Sequence, residues 1–294
     1  MYKSIRYLRI IIALLAMGVP TWALLAGYDS VFVRMQIFTA LISGASVCLI
    51  FWLVVTLVYG RLYCSTVCPL GTLIDCTSAV SRLVRRNRSN YVYAPPATRT
   101  RIIFLIVAIA SILIGTGIIP TVFDPYSAYA RMVNELVARP LGLDSGAVSF
   151  TLSSLSIAAL TAVAVVATGW RHGRILCNTA CPVGTILAFT ATRPYFHIEI
   201  DPDRCINCGE CERVCKAQCI KLPEKTVNVS RCVVCFDCTA VCPNGAITYR
   251  TGSYRLDMPL MQSTSNEGGK AQTDAGCSAC AKYKIKKIKD ETIH

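Results

Sequence analysis

The cysteines near the C-terminal end of the chain stand in two groups with one spacing, C-x2-C-x2-C-x3-C. The pattern that starts at Cys205 recurs 27 residues later at Cys232. This spacing lets a short loop place three thiolates on one cubane 4Fe-4S cluster and send the fourth to a neighbouring cluster. We therefore predict two 4Fe-4S clusters with crossed ligation.

The crossed pattern defines two ligand sets. One predicted cluster is bound by Cys205, Cys208, Cys211 and Cys242, and the other by Cys232, Cys235, Cys238 and Cys215. Zinc also binds four thiolates, but the doubled spacing favours iron and sulfide. Pro243 follows the second group, whereas Lys216 follows the first, which predicts a change in cluster exposure without loss of a ligand. Cys219 matches Ala246 of the second group and is interpreted as a packed thiol.

A second repeat carries paired cysteines. Residues 60–72, GRLYCSTVCPLGT, recur as residues 173–185, GRILCNTACPVGT. Two thiolates cannot complete the four-coordinate shell of a soft metal, so either pair alone is insufficient. If the repeat brings both loops together, an additional redox or metal site is predicted at Cys64, Cys68, Cys177 and Cys181. The alternative is that proline and glycine simply mark a helix end at each pair.

Four stretches of the same part are apolar enough to cross a bilayer, which takes about 20 helical residues. They cover residues 8–27, 36–59, 102–119 and 148–170. Only 16% of the residues are charged, which argues against an ordinary soluble enzyme. We predict a membrane all-α four-helix bundle with two internal repeats, followed by a small α+β two-cluster ferredoxin-like domain.

The composition also predicts the domain boundaries. Residues 1–194 form the four-span transmembrane domain with two CxxxCP loops, residues 195–252 the two-cluster domain, and residues 253–294 a polar, disordered tail. Cys277 and Cys280 in the tail are too few ligands for a site of their own. Apolar residues at Met132, Val133, Leu136 and Val137 predict a short amphipathic helix on the membrane surface, with a plain connector as the alternative.

The charge distribution predicts the orientation. A net charge of +13 would suggest nucleic acid as a partner of a soluble protein, but the arginines cluster beside the apolar stretches. Thirteen Lys and Arg residues lie on one side of the predicted membrane and three on the other. The positive-inside rule then predicts a multi-pass protein of the cytoplasmic (inner) membrane, with both termini and the ferredoxin domain in the cytoplasm. Nucleic acid is not expected as a partner.

The whole arrangement resembles the NapH-type membrane polyferredoxins of periplasmic nitrate reductase systems, over residues 1–250. It shares four spans, two CxxxCP loops with Gly-Arg before and Pro-x-Gly after them, a Phe-Asp-Pro outer loop and a two-cluster domain, whose residues 198–250 resemble bacterial ferredoxins. The resemblance implies a quinol dehydrogenase subunit of a membrane-associated complex. It would pass electrons between the membrane quinone pool and another iron-sulfur or reductase protein.

Relatives of this group suggest two alternatives. They include membrane anchors of nitrous oxide reduction regulators and a copper-oxidase maturation protein. The maturation relative implies a metal-handling or assembly factor that reduces a copper-type ion at the CxxxCP loops. A membrane redox sensor that uses the state of its clusters as a signal is the other alternative.

Replacement of Cys215 by serine is expected to damage the cluster of the second cysteine group, because crossed ligation assigns this thiolate to it. The purified variant should lose about four irons per chain, and its EPR spectrum should match that of Cys232→Ser. Cys48→Ser is the control, because Cys48 belongs to neither ligand set, and it should keep both ferredoxin signals. A Cys215→Ser spectrum that instead matches Cys205→Ser would contradict crossed ligation.

Overall fold

The computed structural model describes residues 2–26, 46–84, 91–114, 124–142 and 152–251. The described part of residues 1–194 is helical, and a short π-helical segment, Asn134–Ala138, continues its sixth helix. The helices are α1 (Tyr2–Ala26), α2 (Ser46–Tyr59), α3 (Tyr63–Thr66), α4 (Pro69–Val84), α5 (Thr98–Leu113), α6 (Pro125–Val133), α7 (Leu152–His172), α8 (Ile175–Thr179) and α9 (Pro182–Thr190).

A small α+β domain follows. Its elements are β1 (Phe196–Ile200), α10 (Glu210–Val214), β2 (Ile220–Lys221), β3 (Thr226–Val227), α11 (Asp237–Val241) and β4 (Ile247–Thr251). Strands β1 and β4 form one antiparallel pair, and strands β2 and β3 form a second antiparallel pair. Helices α10 and α11 occupy equivalent places in the two cysteine groups, and each follows a residue with positive φ, Gly209 or Phe236.

Each CxxxCP repeat starts where a long helix ends. Helix α2 stops before Gly60 and α7 before Gly173, and these glycines have φ values of +78° and +65°. Glycine adopts this left-handed conformation without a steric penalty, so it commonly ends a helix. At Gly173 a Cβ atom would also lie 2.7 Å from the carbonyl oxygen of Lys216. The turn allows the chain to fold back beside the helix that it has just left.

Helices α4 and α7 pack closely at Gly169. A Cβ atom there would lie 2.2 Å from Oγ1 of Thr77. The hydroxyl groups of Ser78 and Ser81 donate to the carbonyl oxygens of Gly169 and Trp170, at 2.9 and 2.8 Å. Small residues and interhelical hydrogen bonds of this kind hold helices together without a large apolar contact. The C-terminal half of α4 therefore runs beside the end of α7.

The helix predicted for the loop after the third apolar stretch is present as α6. Asp124 caps it, since its Oδ2 accepts a hydrogen bond from the Ser127 amide at 2.7 Å, and Pro125 occupies the first helical position. Met132 and Val133 are buried against side chains of α1, α4 and α7. Met132 and Val133 thus pack α6 against other helices, whereas Leu136 and Val137 of the following π-helical segment are exposed, and a place at the membrane surface stays a prediction.

Two of the described helical segments are long and apolar enough to cross a membrane. These are Ser4–Ala26 and Ser153–His172, whereas the apolar segment Val47–Tyr59 is shorter. Parts of the second, third and fourth predicted spans lie outside the described residues, as does the tail with Cys277 and Cys280. The predicted helix-rich part and α+β domain are therefore present, while the four-helix membrane bundle stays a prediction.

A buried ion-pair network joins the α+β domain to the helices. Lys216 is only 3% exposed, and its Nζ lies 3.4 Å from Oδ1 of Asp75 in α4 and 3.0 Å from Oδ2 of Asp237 in α11. Three arginines complete the network: Arg6, Arg9 and Arg174. Burial by itself would raise the pKa of both carboxyl groups, but the surrounding cations hold each pKa below its ordinary value.

The network gives a structural role to the residue that replaces proline after the first cysteine group. The Lys216 ammonium links carboxylates from both parts of the molecule, and its carbonyl oxygen accepts a hydrogen bond from the Arg174 amide at 2.9 Å. Proline could supply no charge at this place.

One hydrophobic core also runs through both parts, from Trp52 and Tyr63 to Ile198 and Val233.

Replacement of Lys216 by methionine is expected to lower the free energy of unfolding by about 3 kcal/mol or more, because two buried carboxylates lose a shared partner. Denaturant titration in detergent measures this change. Lys221→Met is the control, since the Lys221–Glu224 pair is exposed and contributes less than about 1 kcal/mol. Equal losses in the two variants would contradict a structural role for Lys216.

Candidate functional site

Two small cavities in the α+β domain are lined by the predicted ligand sets. One cavity is lined by Cys205, Cys208, Cys211 and Cys242, and the other by Cys215, Cys232, Cys235 and Cys238. Each cavity thus contains the distant fourth cysteine that crossed ligation requires. Burial raises the pKa of Cys211 and of Cys235 to about 12, so thiolates at these positions require a bound cation. The donor sets fit 4Fe-4S clusters, and the ligand roles stay predictions.

Cys219 lies in the second of these cavities beside a predicted ligand. It is buried, as expected for a packed thiol, and its Sγ is 3.6 Å from Sγ of Cys215. A hydrogen bond with Cys219 lowers the pKa of Cys215 to about 7. Such a bond favours the thiolate that a metal binds. Comparison of the two cysteine groups marks this position as different, but it does not reveal the contact.

The four CxxxCP cysteines line a third cavity, of about 270 Å³. The Cys68 thiol is close to the other three thiols. A thiolate at Cys64, Cys177 or Cys181 would therefore repel a thiolate at Cys68. The walls are largely apolar and include Leu70, Leu160, Ala164, Val165, Leu176 and Val183. The structure thus brings together the two loops that the sequence repeat relates. The two cavities of the α+β domain have volumes of only about 20 and 10 Å³, so the CxxxCP cavity has far more free space.

The spacing of the donors bears on what could bind them. Among the described residues, no three His, Cys, Asp or Glu side chains are close enough together to hold one metal ion. A 4Fe-4S cluster binds each thiolate at a different iron, so its ligands stand farther apart than those of a single ion.

The cavity lies beside the middle of α7. Leu160, Thr161, Ala164 and Val165 of this helix form part of its wall, whereas the sequence suggests that the cysteine loops stand at the ends of the spans. The difference arises because the loops fold back after Gly60 and Gly173. The cysteines thereby lie beside a helix that is itself long and apolar enough to span a membrane.

The second cysteine of each CxxxCP motif stands at the start of a helix. Cys181 caps α9, and its Sγ accepts a hydrogen bond from the Gly184 amide at 3.3 Å. Cys68 precedes α4 and accepts from the Gly71 amide at 3.4 Å. Thr72 and Thr185, which end the repeated motif, donate their hydroxyl groups to the carbonyl oxygens of these cysteines. The repeated Cys-Pro-x-Gly-Thr is therefore a helix start that presents a thiol with hydrogen-bond support.

The arginine of each repeat reaches across to the other repeat. Arg61 donates to the Cys177 carbonyl oxygen at 3.3 Å, and Arg174 donates to the Cys64 carbonyl oxygen. Both side chains are fully buried. Arg61 also contacts Sγ of Cys64 at 3.8 Å. The Gly-Arg pairs are visible as part of the repeat, but sequence reasoning did not assign them this function.

Each CxxxCP loop requires glycine where its chain passes close to its own first cysteine. A Cβ atom on Gly71 would lie 2.5 Å from the Cys64 carbonyl oxygen, and one on Gly184 would lie 2.4 Å from that of Cys177. The Cβ atom on Gly184 would also lie 2.8 Å from Nη2 of Arg61. These backbone contacts explain why both repeats contain Pro-x-Gly.

Substitution of Gly71 or Gly184 by alanine is expected to cost about 2 kcal/mol of stability, because the added methyl group overlaps backbone atoms. Thermal unfolding in detergent, followed by circular dichroism, measures the loss. Gly18→Ala is the control, since a Cβ atom there meets nothing within 4 Å. An unchanged unfolding temperature in both Gly71→Ala and Gly184→Ala would show that the loops do not pack as described.

Comparison with known proteins supports the iron-sulfur assignment. A family described as a 4Fe-4S binding domain matches residues 42–89 and 155–194, which include both CxxxCP loops. A second family with the same description matches residues 197–220, within the α+β domain. The chain is therefore an iron-sulfur protein with a 4Fe-4S ferredoxin-type domain.

Two curated proteins are similar over part of their length. An uncharacterized protein of Methanocaldococcus jannaschii is 32% identical over 74 residues, which are 25% of this chain and 30% of the relative. Ferredoxin-type protein NapH of Escherichia coli is 27% identical over 178 residues, 58% of this chain and 54% of the relative. The chain thus covers less than two thirds of either relative, and no solved structure matches it. These matches confirm the resemblance to NapH-type polyferredoxins that was drawn from the sequence.

Proposed function

We propose that this protein is a membrane-bound electron-transfer protein that passes electrons between the quinone pool and a separate redox partner. The observation that carries the proposal is the apolar cavity lined by Cys64, Cys68, Cys177 and Cys181 beside the middle of α7. A lipid-soluble electron donor could reach such a cavity from within a membrane. The two-cluster domain, residues 195–252, would then receive the electrons through the helical domain, residues 1–194.

The exposed surface of the helices supports a membrane location. Large apolar side chains are exposed on α1, α2, α5 and α7, among them Trp22, Phe51, Ile103 and Leu160. A soluble monomer rarely exposes such large apolar areas, whereas lipid covers them without cost. We propose that all four helices span the cytoplasmic membrane and that the termini and the ferredoxin-type domain lie in the cytoplasm.

The cavity suits the ring of a quinol. Its volume of about 270 Å³ is near the lower end of small-molecule sites, so it would admit a head group and not a long isoprenoid tail. Exposed Leu160 lies both in the wall and on the outer face of α7, where the tail could pass into lipid. Apolar walls favour a neutral aromatic ring over a charged substrate.

A short hydrogen-bonded connection leads from this cavity to the α+β domain. Asn178, in the second CxxxCP loop, donates to the carbonyl oxygen of Ala217 at 3.2 Å. Ala217 stands two residues after Cys215, a predicted cluster ligand. Arg61 contacts the Ser230 carbonyl oxygen at 3.4 Å, two residues before Cys232. Two loops near the cavity thus touch the backbone next to one predicted cluster.

The proposed reaction balances as a two-electron oxidation. A quinol would lose two electrons and two protons and leave as the quinone, while the electrons pass one at a time to the iron-sulfur centres. An iron-sulfur or reductase protein in a membrane-associated complex would accept them, and the protons would pass to water. In the opposite direction, the same partners would reduce the quinone.

A metal-handling role is the second candidate. Four converging thiols are soft donors of the kind that select copper(I), and a cluster could supply the electron that reduces copper(II). Among the described residues, no three such side chains form a group that could hold one metal ion, so no preformed single-ion site supports this role. We therefore rank this role below quinol chemistry.

In proteoliposomes, a menaquinol analogue is expected to reduce the ferredoxin-type clusters. Cys64→Ser and Cys181→Ser should slow this reduction by about tenfold or more, which corresponds to about 1.4 kcal/mol or more in the barrier. Stopped-flow absorbance measures the rate, and EPR of chemically reduced protein checks that the ferredoxin signals are intact.

Cys76→Ser is the matched control, because Cys76 lies in α4 but does not line the cavity. Its rate should equal that of the unchanged protein. If quinol and quinone never alter the cluster redox state with the native partner present, while copper reduction depends on Cys64 and Cys181, the metal-handling role replaces quinol oxidation.

A further inference from the structure

The two cysteine groups of the α+β domain differ at the fourth residue after the last cysteine of each group. Cys219 stands there in the first group and Ala246 in the second. Both residues are 2% exposed, and each lines the same cavity as the last cysteine of its group, Cys215 or Cys242. One predicted cluster site therefore contains a fifth thiol, where the other contains only a methyl group.

The backbone supports the last cysteine of each group in a similar way. The amide of Ala246 donates a hydrogen bond to Sγ of Cys242 at 3.2 Å. The amide of Cys219 is placed to donate to Sγ of Cys215 in the same manner. Hydrogen bonds of this kind stabilise thiolates that bind a cluster. The side chain of Cys219 therefore adds a contact that Ala246 cannot provide.

The thiol of Cys219 contacts two predicted ligands of one cluster. Its Sγ lies 3.6 Å from Sγ of Cys215, and it is also within hydrogen-bonding range of Cys232. A thiolate bound to iron has no hydrogen to donate, so the hydrogen in either contact must come from Cys219. A thiolate at Cys219 would be repelled by the ligand thiolates beside it, so its hydrogen stays on the sulfur.

The cluster beside Cys219 is the more enclosed of the two. This enclosed cluster is the one predicted for Cys215, Cys232, Cys235 and Cys238, ligands that are each between 6% and 9% exposed. Three of the four predicted ligands of the other cluster are partly exposed. Reduction adds negative charge to a cluster, and burial disfavours charge. The enclosed cluster therefore depends more strongly on hydrogen bonds from the protein when it accepts an electron.

We propose that Cys219 is a positioning residue for electron transfer, whose S–H group donates a hydrogen bond to the Cys215 thiolate and raises the reduction potential of the enclosed cluster. Hydrogen bonds to ligand sulfurs favour the reduced, more negative state of a cluster. The CxxxCP loops touch the backbone close to two ligands of this cluster, so the higher potential suits it as the first acceptor in the domain. The proposal deepens the proposed function and rests on its assignment of this domain to electron transfer.

An EPR-monitored redox titration of the full-length protein tests this role. Cys219→Ala removes the donor, so the potential of the enclosed cluster should shift to a more negative value at unchanged iron content. Cys219→Ser keeps a hydroxyl donor at the same place and should restore most of the potential. The signal that is lost in Cys232→Ser identifies the enclosed cluster.

Ala246→Ser is the reciprocal variant and the matched control. It places a hydroxyl donor beside Cys242, so the potential of the other cluster should shift to a more positive value. The enclosed cluster, which does not contact this residue, should keep its potential in the same protein. The variant therefore separates the effect of a new donor from a general effect of substitution in the domain.

Three results would overturn the role assigned to Cys219. The first is an unchanged potential of the enclosed cluster in Cys219→Ala at full iron content. The second is a Cys219→Ser potential equal to that of Cys219→Ala, since packing and not a hydrogen bond would then cause the shift. The third is a loss of about four irons in both variants, which would make Cys219 a ligand. Chemical reductants and mediators set the potential in this titration, so its outcome is independent of whether quinol reduces the protein.

Discussion

The crossing of two buried arginines between the CxxxCP loops is the interaction on which the rest of the structure depends. Arg61 binds a carbonyl oxygen of the second loop, and Arg174 binds one of the first. A fully buried guanidinium group must find acceptors, and each arginine finds them mainly in the opposite repeat. The two loops therefore face each other, and their cysteines share one cavity. Gly71 and Gly184 let each loop pass close to the carbonyl oxygen of its own first cysteine, where the arginine of the other repeat donates its hydrogen bond.

Arg174 also connects the cavity to the ferredoxin-type domain. Arg174 pairs with Asp75, and Asp75 pairs with Lys216 beside the predicted ligand Cys215. Buried ion pairs of this kind add little net stability, but their loss is costly, so they favour one arrangement of the two parts. Rapid electron transfer needs short and constant distances between centres. The ion pairs from Arg174 through Asp75 to Lys216 help to hold the CxxxCP cavity and the α+β domain in one arrangement.

Charge and polarity divide the molecule into an apolar exterior and a positively charged interior. Apolar side chains cover the outside of the long helices, while arginines gather in the interior near the thiols. Cations are expensive to bury in this way unless anions accompany them. Arg61 and Arg101, which sequence reasoning counted toward membrane orientation, are instead buried close to the cysteines.

Much of the local structure could be predicted from the sequence. The spacing of the ferredoxin cysteines predicts the two ligand sets, because a short loop can place only near neighbours on one cluster, and the structure gathers each predicted set at one cavity. The tertiary structure decided the rest. It paired loops 113 residues apart, set their cavity beside the middle of α7, and gave Lys216 and Arg101 their surroundings. Such features depend on contacts between distant segments, which neither hydrophobic periodicity nor motif spacing contains.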